Sequence, residues 1–298
     1  MLDPRLLRAF TAIADTGSFT LAAERLHMTQ STISQQLARL EDAVGAALIN
    51  RAARPSQPTA AGERLLGYAR RILALQLEAA SALRDPAGTV SLRIGIPEDL
   101  ASGAMARVFG RFARHHREIH LDVTAGLSRD LTTRYRAGEL DIVIAKEPAA
   151  SPGCRASFPE ALAWFESASA PEAWPRPVPL VAFPPGGLYR EAMFERLERE
   201  QLRWYVAFSG NSLHNVLVAV EAGLGLSLLP ASAAAGYRVR RHAPLQGEPP
   251  TAVSLYAWEN AGPAAELVEQ MVQVLAARHQ QSSKGTVMAK PLGKPQAG

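Results

Sequence analysis

Apolar side chains in the first sixty residues recur at intervals of three and four, the period of a helix with one buried face. Leu6, Phe10 and Ile13 share such a face. Asp3-Pro4 ahead of them is a helix start, because aspartate can cap free amides and proline suits the first turn. Gly17 ends that helix, and Ser18 can cap a second over 19–26 with Phe19, Ala22, Ala23 and Leu26 inward. After a short break at His27-Met28, Thr29 can cap a third helix running to Val44. Ile33, Leu37 and Leu40 face inward there, while Gln30, Ser31, Ser34, Gln35 and Arg39 face out. Gly45 supplies a left-handed stop.

The pattern then changes twice. Over 63–83 a seven-residue register aligns Leu65, Tyr68, Ile72, Leu75, Ala79 and Ala82, with Leu66, Leu73, Leu77 and Leu83 as a second apolar band. A helix with two apolar bands has two burial partners, either its own neighbour and a second copy of itself or two sides of one core. Asp85-Pro86-Ala87-Gly88 breaks the run. From residue 91 onward, strand-like segments (92–96, 119–124, 140–145, 180–183, 253–258) alternate with helical ones (99–116, 128–137, 187–200, 211–222). That alternation predicts an α/β layer architecture with largely parallel strands. Residues 280–298, rich in Gln, Ser, Lys, Gly and Pro, read as a disordered tail, and no internal repeat is found.

Composition narrows the classes. A length of 298 residues with 47% hydrophobic content suits about two folded domains. The most apolar stretch, 216–230, carries Glu221, Gly223, Gly225 and Pro230, too interrupted for the roughly 20 apolar residues of a membrane span. Asp3, Pro4, Arg5, Arg8 and Asp15 interrupt the first turns, so no secretory signal is expected. Cys154 is the one cysteine, which excludes an internal disulfide and a cysteine-cluster zinc site and fits a reducing cytoplasm. Of the 32 basic residues only four are lysines, and three of those (Lys284, Lys290, Lys294) lie near the end of the chain.

Two short helices joined by a tight turn, the second polar on its outer side, form the pattern of a helix-turn-helix. In that motif the second helix enters the major groove, where amides and hydroxyls reach base edges and Gln can bond adenine through two hydrogen bonds. The amides at the Thr29 end suit a phosphate oxygen. Pattern alone leaves open a merely solvated helix face. Further on, Arg51 and Arg54 flank a proline-rich turn (Pro55, Pro58) that can set cations against phosphates.

These residues resemble the LysR-type transcriptional regulators. The match runs through Ser18-Phe19, Ala22-Ala23-Glu24-Arg25-Leu26, Thr29-Gln30-Ser31, Ile33-Ser34-Gln35-Gln36-Leu37, Leu40-Glu41, Leu48, Arg51, Arg54, Thr59 and Ala61-Gly62, about sixty residues at fixed spacing. Ile49 and Pro58 depart from it, where Phe and an aliphatic residue are usual. The resemblance implies an α+β multidomain protein: a winged helix-turn-helix over 1–62, a linker and dimerisation helix with hinge over 63–88, a two-lobed α/β effector domain over 89–279 built like a periplasmic solute-binding protein, and the tail. It extends to Leu92–Ile96 by position, to Gly138-Glu139-Leu140-Asp141-Ile142 and to Ala222-Gly223-Leu224-Gly225-Leu226 with Leu229-Pro230. Phe183-Pro184-Pro185-Gly186-Gly187 with Tyr189-Arg190 is similar to a subgroup that includes LrhA and HexA. Residues 146–178 fit poorly, with the lobe boundary expected near 158–162.

The implied DNA-facing set is Thr29, Gln30, Ser31, Thr32, Ser34, Gln35 and Arg39 with Arg51 and Arg54. The implied effector-facing set lies at strand ends and helix starts: Glu98, Asp99, Leu100, Leu127, Ser128, Ser209, Gly210, Asn211 and Ser212. Glu98 and Asp99 add negative charge there, either to favour a polar or cationic effector or simply to complement a helix dipole. The implied partners are a double-stranded DNA operator, a small-molecule effector and further copies in a homodimer or homotetramer, with room for RNA polymerase and no membrane. No cofactor, metal or catalytic role is expected. His115, His116 and His120 lack a carboxylate or thiol at ligand spacing, Gly223-Leu224-Gly225 lacks the third glycine of a dinucleotide loop, and Ser209-Gly210-Asn211 lacks a nucleophile elbow. Two rivals stand beside the regulator. One is a ligand sensor or small-molecule enzyme joined to a helical module that ignores DNA; the other is a nucleoid-type binder without base preference.

Overall fold

The computed structural model describes residues 2–82, 90–245, 247–259 and 261–287. Its first helix, α1 (Pro4–Thr16), starts where Asp3 accepts a hydrogen bond from the amide of Arg5 and stops at Gly17, whose φ of +64° closes the last turn. The short α2 (Phe19–Arg25) is capped by Ser18, and α3 (Gln30–Val44) by Thr29, with Gly45 at φ +69° behind it. Leu7, Phe10, Ile13, Ala22, Ile33, Leu37 and Leu40 are all fully buried together. Each such large apolar side chain contributes about 1.5–3 kcal/mol by leaving water.

A two-residue ribbon, β1 (Ile49–Asn50) against β2 (Gln57–Pro58), follows antiparallel, with Ile49 opposite Pro58. Proline's missing amide is tolerated because the next residue supplies one: Thr59 N donates to Leu48 O at 2.9 Å. The long α4 (Ala60–Ala82) then leaves the ribbon. Gly62 permits this exit, since a Cβ there would lie 2.0 Å from Leu48 O. Leu65, Leu66, Ala69, Ile72 and Leu73 of α4 pack on the helical core, whereas Tyr68, Leu75 and Leu77 are exposed. The core thus takes members of both apolar bands, not one band whole. The expected break at 85–88 lies outside the described residues.

The chain falls into two compact units. The first comprises Met1–Arg93 with Glu118–His120 and Thr133–Asp141, and the second comprises Ile94–Arg117, Leu121–Thr132 and Ile142–Gly298. Within the first, buried Asp141 sits 2.5 Å from the Arg71 guanidinium and accepts from Arg93 N, Nε and Nη2 at 2.8, 3.1 and 3.1 Å.

Three sheets carry the rest. A five-stranded sheet has the order β4 (Ile119–Ala125), β3 (Val90–Ile96), β5 (Ile142–Glu147), β12 (Thr251–Ala257), β6 (Ala156–Glu160). Strand β3 runs parallel to β5, but β12 is antiparallel to both β5 and β6. Helices α5 (Gly103–His115) and α9 (Gly262–Val287) pack with it, burying Met105, Val108, Phe112, Leu267, Met271 and Leu275. The chain passes to the second sheet at Ala161. There β7 (Leu162–Ser167) lies between β10 (Ser227–Pro230) and β11 (Val239–Arg241), antiparallel to both. Parallel β8 (Val178–Ala182) and β9 (Trp204–Ser209) adjoin through a bridge from Leu180 to Leu226.

Alternation along these strands divides the second lobe's core. Trp164, Leu180 and Leu228 join Met193 and Leu197 of α7 (Leu188–Arg199), while Phe165, Val181 and Leu229 join Val216 and Val220 of α8 (Leu213–Glu221). Gly225, at φ +156°, lets its chain approach β8, where a Cβ would meet Pro179 O at 2.4 Å.

Two expectations need correction. The strands are not largely parallel, because β12, returning from the second lobe, enters the first sheet antiparallel to both its neighbours, and β7 is antiparallel to β10 and β11. Helix α9 also continues to Val287, eight residues into the stretch read as a disordered tail. Ser, Gly and Thr there are weak helix formers, but they extend a helix already nucleated by its buried first half. Residues 288–298 lie outside the described residues.

Candidate nucleic-acid interface and ligand groove

The outward side of α3 is built by the burial of its inward side. With Ile33, Leu37 and Leu40 fixed in the core, helical geometry leaves Gln30, Ser31, Gln35 and Arg39 exposed and Thr32 and Ser34 partly so. Thr29 Oγ1 accepts from Thr32 N at 3.2 Å and shares hydrogen bonds with the hydroxyls of Ser31 and Thr32, both at 2.8 Å. The helix start is therefore ordered by its own hydroxyls, and Gln30, Gln35 and Arg39 supply the outward-reaching groups.

Beside it, Arg54 is exposed at the tip of the proline turn. Arg51, expected to set a cation against phosphates, is also paired within the protein. Its Nη2 donates to Glu41 Oε2 at 3.0 Å, and its guanidinium lies 5.7 Å from the Phe19 ring centre. Glu41 meanwhile accepts from Leu48 N and Ile49 N at 2.8 and 3.3 Å through its other oxygen. Arg51 thus ties the ribbon to α3 while keeping one edge in solvent. Ser56 N, donating to Gly17 O at 2.9 Å, holds the other end of the loop.

In the second unit a groove of about 1230 Å³ follows the seam between the lobes. Glu98, Asp99 and Leu100 line it, as expected from their place after β3. The other expected residues do not. Leu127 packs into the second lobe's apolar cluster, Ser128 Oγ accepts from Lys146 N at 2.9 Å, and Ser212 Oγ caps α8 by accepting from Asn215 N at 3.2 Å. Ser209 ends β9, buried Gly210 donates its N–H to Ala182 O at 3.0 Å, and Asn211 is exposed outside the groove. Lobe contact explains this: α6 (Ser128–Arg136) carries Arg129 against Gly186, where a Cβ would lie 2.7 Å from Nη1.

The floor of the groove is a charged cluster that sequence reasoning missed. Lys146 Nζ lies 2.6 Å from Asp99 Oδ2, 3.1 Å from Glu160 Oε2 and 2.9 Å from Tyr189 OH. Tyr189 OH donates to Glu160 Oε2 at 2.8 Å, and Arg278 Nη2 reaches Asp99 Oδ2 and Glu160 Oε1, each at 3.3 Å. Two acids and two bases cancel. Burial alone would raise the Asp99 carboxyl, but the charges and hydrogen bonds of Lys146 and Arg278 hold it below its usual value. Burial and the neighbouring Glu160 and Asp99 charges push the Tyr189 phenol well above its usual value, so it stays protonated. Asp99 is therefore already neutralised by Lys146 and Arg278, and its charge by itself does not call for a cationic effector. A signal was available: Lys146 is the sole lysine before residue 284, and it directly follows the apolar run Ile142–Ala145.

The remaining candidates have structural roles. His115 Nδ1 meets Arg111 O at 2.8 Å, and His116 Nε2 meets Glu266 at 3.3 Å. Among the described residues no group of three or more His, Cys, Asp or Glu side chains is placed to hold a metal ion, and no helix is long and apolar enough to cross a membrane.

Comparison with known proteins agrees with this architecture. Residues 4–63 match the model of the bacterial regulatory helix-turn-helix proteins of the lysR family, and residues 86–280 match the LysR substrate binding domain. The chain belongs to the LysR-type family: it is a DNA-binding transcriptional regulator with an effector-binding domain, and not an enzyme. It is 31% identical to the HTH-type transcriptional regulator PecT of Dickeya dadantii over 235 residues, covering 76% of this chain and 72% of that one. It is 29% identical to the regulator DgdR of Burkholderia cepacia over 232 residues, 78% and 79% of the two chains. In fold it is similar to full-length LysG of Corynebacterium glutamicum with bound effector Arg, at a TM-score of 0.59, 22% identity and coverage of 93% and 99%. ArgP of Mycobacterium tuberculosis gives 0.54, 22%, 92% and 97%.

Proposed function

We propose that α3 reads base edges of an operator in the major groove and that the Arg51–Arg54 loop sits on the adjoining backbone. The observation that carries this is the division of α3 itself: three fully buried apolar residues inward, and Gln30, Gln35 and Arg39 exposed outward. Gln30 and Gln35 would specify sequence, and Thr29, Ser31, Thr32 and Ser34 would meet the phosphates and sugars at the helix start. Arg54 would contribute chiefly to affinity, and Arg51 would do so through its solvent edge while holding the ribbon in place.

The exposed apolar side of α4, with Tyr68, Leu75 and Leu77, supports pairing with a second copy. Such pairing would present two copies of α3 to a two-fold site. The small-molecule effector would occupy the groove along the lobe seam and shift the population between arrangements of the DNA-reading heads. A regulator that acts on chromosomal DNA would reside in the cytoplasm.

Selection of bound fragments from a genomic pool, followed by titration of the enriched duplex against salt, tests the reading. Affinity should fall steeply as salt rises, with a linear log–log slope that counts released counterions. Equal affinity for enriched and scrambled duplexes would favour the nucleoid-type rival. Loss of all binding at low salt would favour the inert-module rival.

A further inference from the structure

Resting on the regulator reading, we infer that the ligand of the seam groove is a zwitterion of the amino-acid class, admitted by exchange with the Lys146–Asp99–Glu160–Arg278 pairs. Three of these four side chains, Asp99, Glu160 and Arg278, line the groove, and Lys146 closes it from behind at only 5% side-chain exposure. The cluster joins pieces that belong to different parts of the lobe seam. Asp99 follows β3, Lys146 is the next-to-last residue of β5, Glu160 ends the crossover strand β6, Tyr189 lies in the first turn of α7 and Arg278 lies on α9.

The charge balance selects the ligand class. The four ions sum to zero and are held out of water, where an unpaired charge is strongly disfavoured. A simple carboxylate would bring a net negative charge into that cluster, and a simple amine a net positive one. A molecule carrying both groups preserves neutrality, its ammonium facing Asp99 and Glu160 and its carboxylate facing Arg278. Arg278 also holds a reserve for this. Its Nη1 is buried and donates to nothing among the described residues, and a buried donor left unmade is a cost that a ligand carboxylate removes. The groove walls at Leu100, Leu213, Leu217, Val253 and Val274 are apolar, which suits an aliphatic or aromatic side chain. Entry requires the ion pairs to part, and Tyr189 and Glu160 part with them, so ligand admission and movement of the two lobes become one event.

The test uses the full-length protein and calorimetric titration with L-leucine, L-methionine and L-phenylalanine, against 3-methylbutylamine and 4-methylpentanoate as single-charge counterparts of leucine. At least one amino acid should bind, and its single-charge counterparts should bind at least tenfold more weakly. Arg278→Gln should weaken the amino acid about tenfold or more. If that variant is poorly folded by tryptophan emission, Arg278→Lys, which keeps the charge and loses the forked donor, should weaken it by several fold. Binding of the amine or the carboxylate as tightly as the amino acid overturns the proposal. So does silence of the whole amino-acid panel, or unchanged binding in both Arg278 variants. Affinity for the enriched duplex is measured on the same preparation. If it persists while every amino acid fails, the ligand class is wrong and the regulator reading stands.

Discussion

The reading head and the effector unit treat polar side chains in opposite ways. On α3, Gln30, Gln35 and Arg39 stand in water beside a core that is purely apolar. In the groove, Lys146, Glu160 and Asp99 are withdrawn from water and matched to one another. A surface that must meet a large polyanion can remain solvated until contact, since the partner brings its own charge and desolvates only the final interface. A pocket for a small molecule has no such partner at rest, so it must satisfy its charges internally. On the proposed reading, the head is thereby primed for affinity, and the effector unit for exchange.

The sharpest way to break this contrast is Lys146→Met. It leaves Asp99 and Glu160 without their nearest base, and breaking a buried pair from one side costs about 3–5 kcal/mol. All four tryptophans (Trp164, Trp174, Trp204, Trp258) lie in the second unit, so their emission during denaturation reports that unit alone. The midpoint should drop markedly while affinity for the selected duplex changes little. An unaltered midpoint would show that the cluster is not a matched set.

Next in size is Gly62→Ala. The added carbon would lie 2.0 Å from Leu48 O, backbone that cannot swing aside. A cost of roughly 1–3 kcal/mol is expected from such crowding, seen as lost far-ultraviolet helicity on mild heating and weaker DNA binding, with tryptophan emission unchanged.

Gln35→Ala and Arg54→Ala should separate base reading from backbone holding. The first should reduce discrimination between the selected duplex and its single-base variants, by about 1–3 kcal/mol if a two-point contact is lost. The second should weaken all duplexes alike and lower the salt slope by about one counterion. Identical profiles for the two variants would refute the division of labour. Arg51→Ala is expected to mix both behaviours, because Arg51 also holds Glu41.

The smallest effect is in acid. Because the folded state holds the Asp99 carboxyl below the value of the unfolded chain, its contribution is complete above the unfolded value of about 4. It is lost as pH falls through the lower, folded value. Wild-type second-unit stability should therefore decline below about pH 4 more steeply than that of Asp99→Asn, which starts lower. Parallel curves would mean that Asp99 carries no such linkage.

Legibility followed the range of the interactions. The caps at Asp3, Ser18 and Thr29, the stops at Gly17 and Gly45, and the helical periods between them act over four residues or fewer, so they could be read one turn at a time. The region 146–178 resisted because β7 finds its partners only in β10 and β11, more than fifty residues further on, and nothing local specifies their direction. The candidate site divided along the same line. Gln30, Gln35 and Arg39 were visible because burying one side of a helix exposes the other. The positions at Leu127, Ser128 and Ser212 suggested a cleft lining, but their side chains are taken up by packing, by Lys146 N and by a helix cap.

The order of residues alone therefore established the helix-turn-helix and its outward amides, which depend on neighbours within a turn or two, and the family, which about sixty residues carry at fixed spacing. The ion cluster needed the fold. Asp99, Lys146, Glu160, Tyr189 and Arg278 span 180 positions and share no spacing, and only closure of the sheets and α9 brings their charges within hydrogen-bond distance. Electrostatic pairing depends on separation in space and on exclusion of water, and neither quantity is written in the distance along a chain.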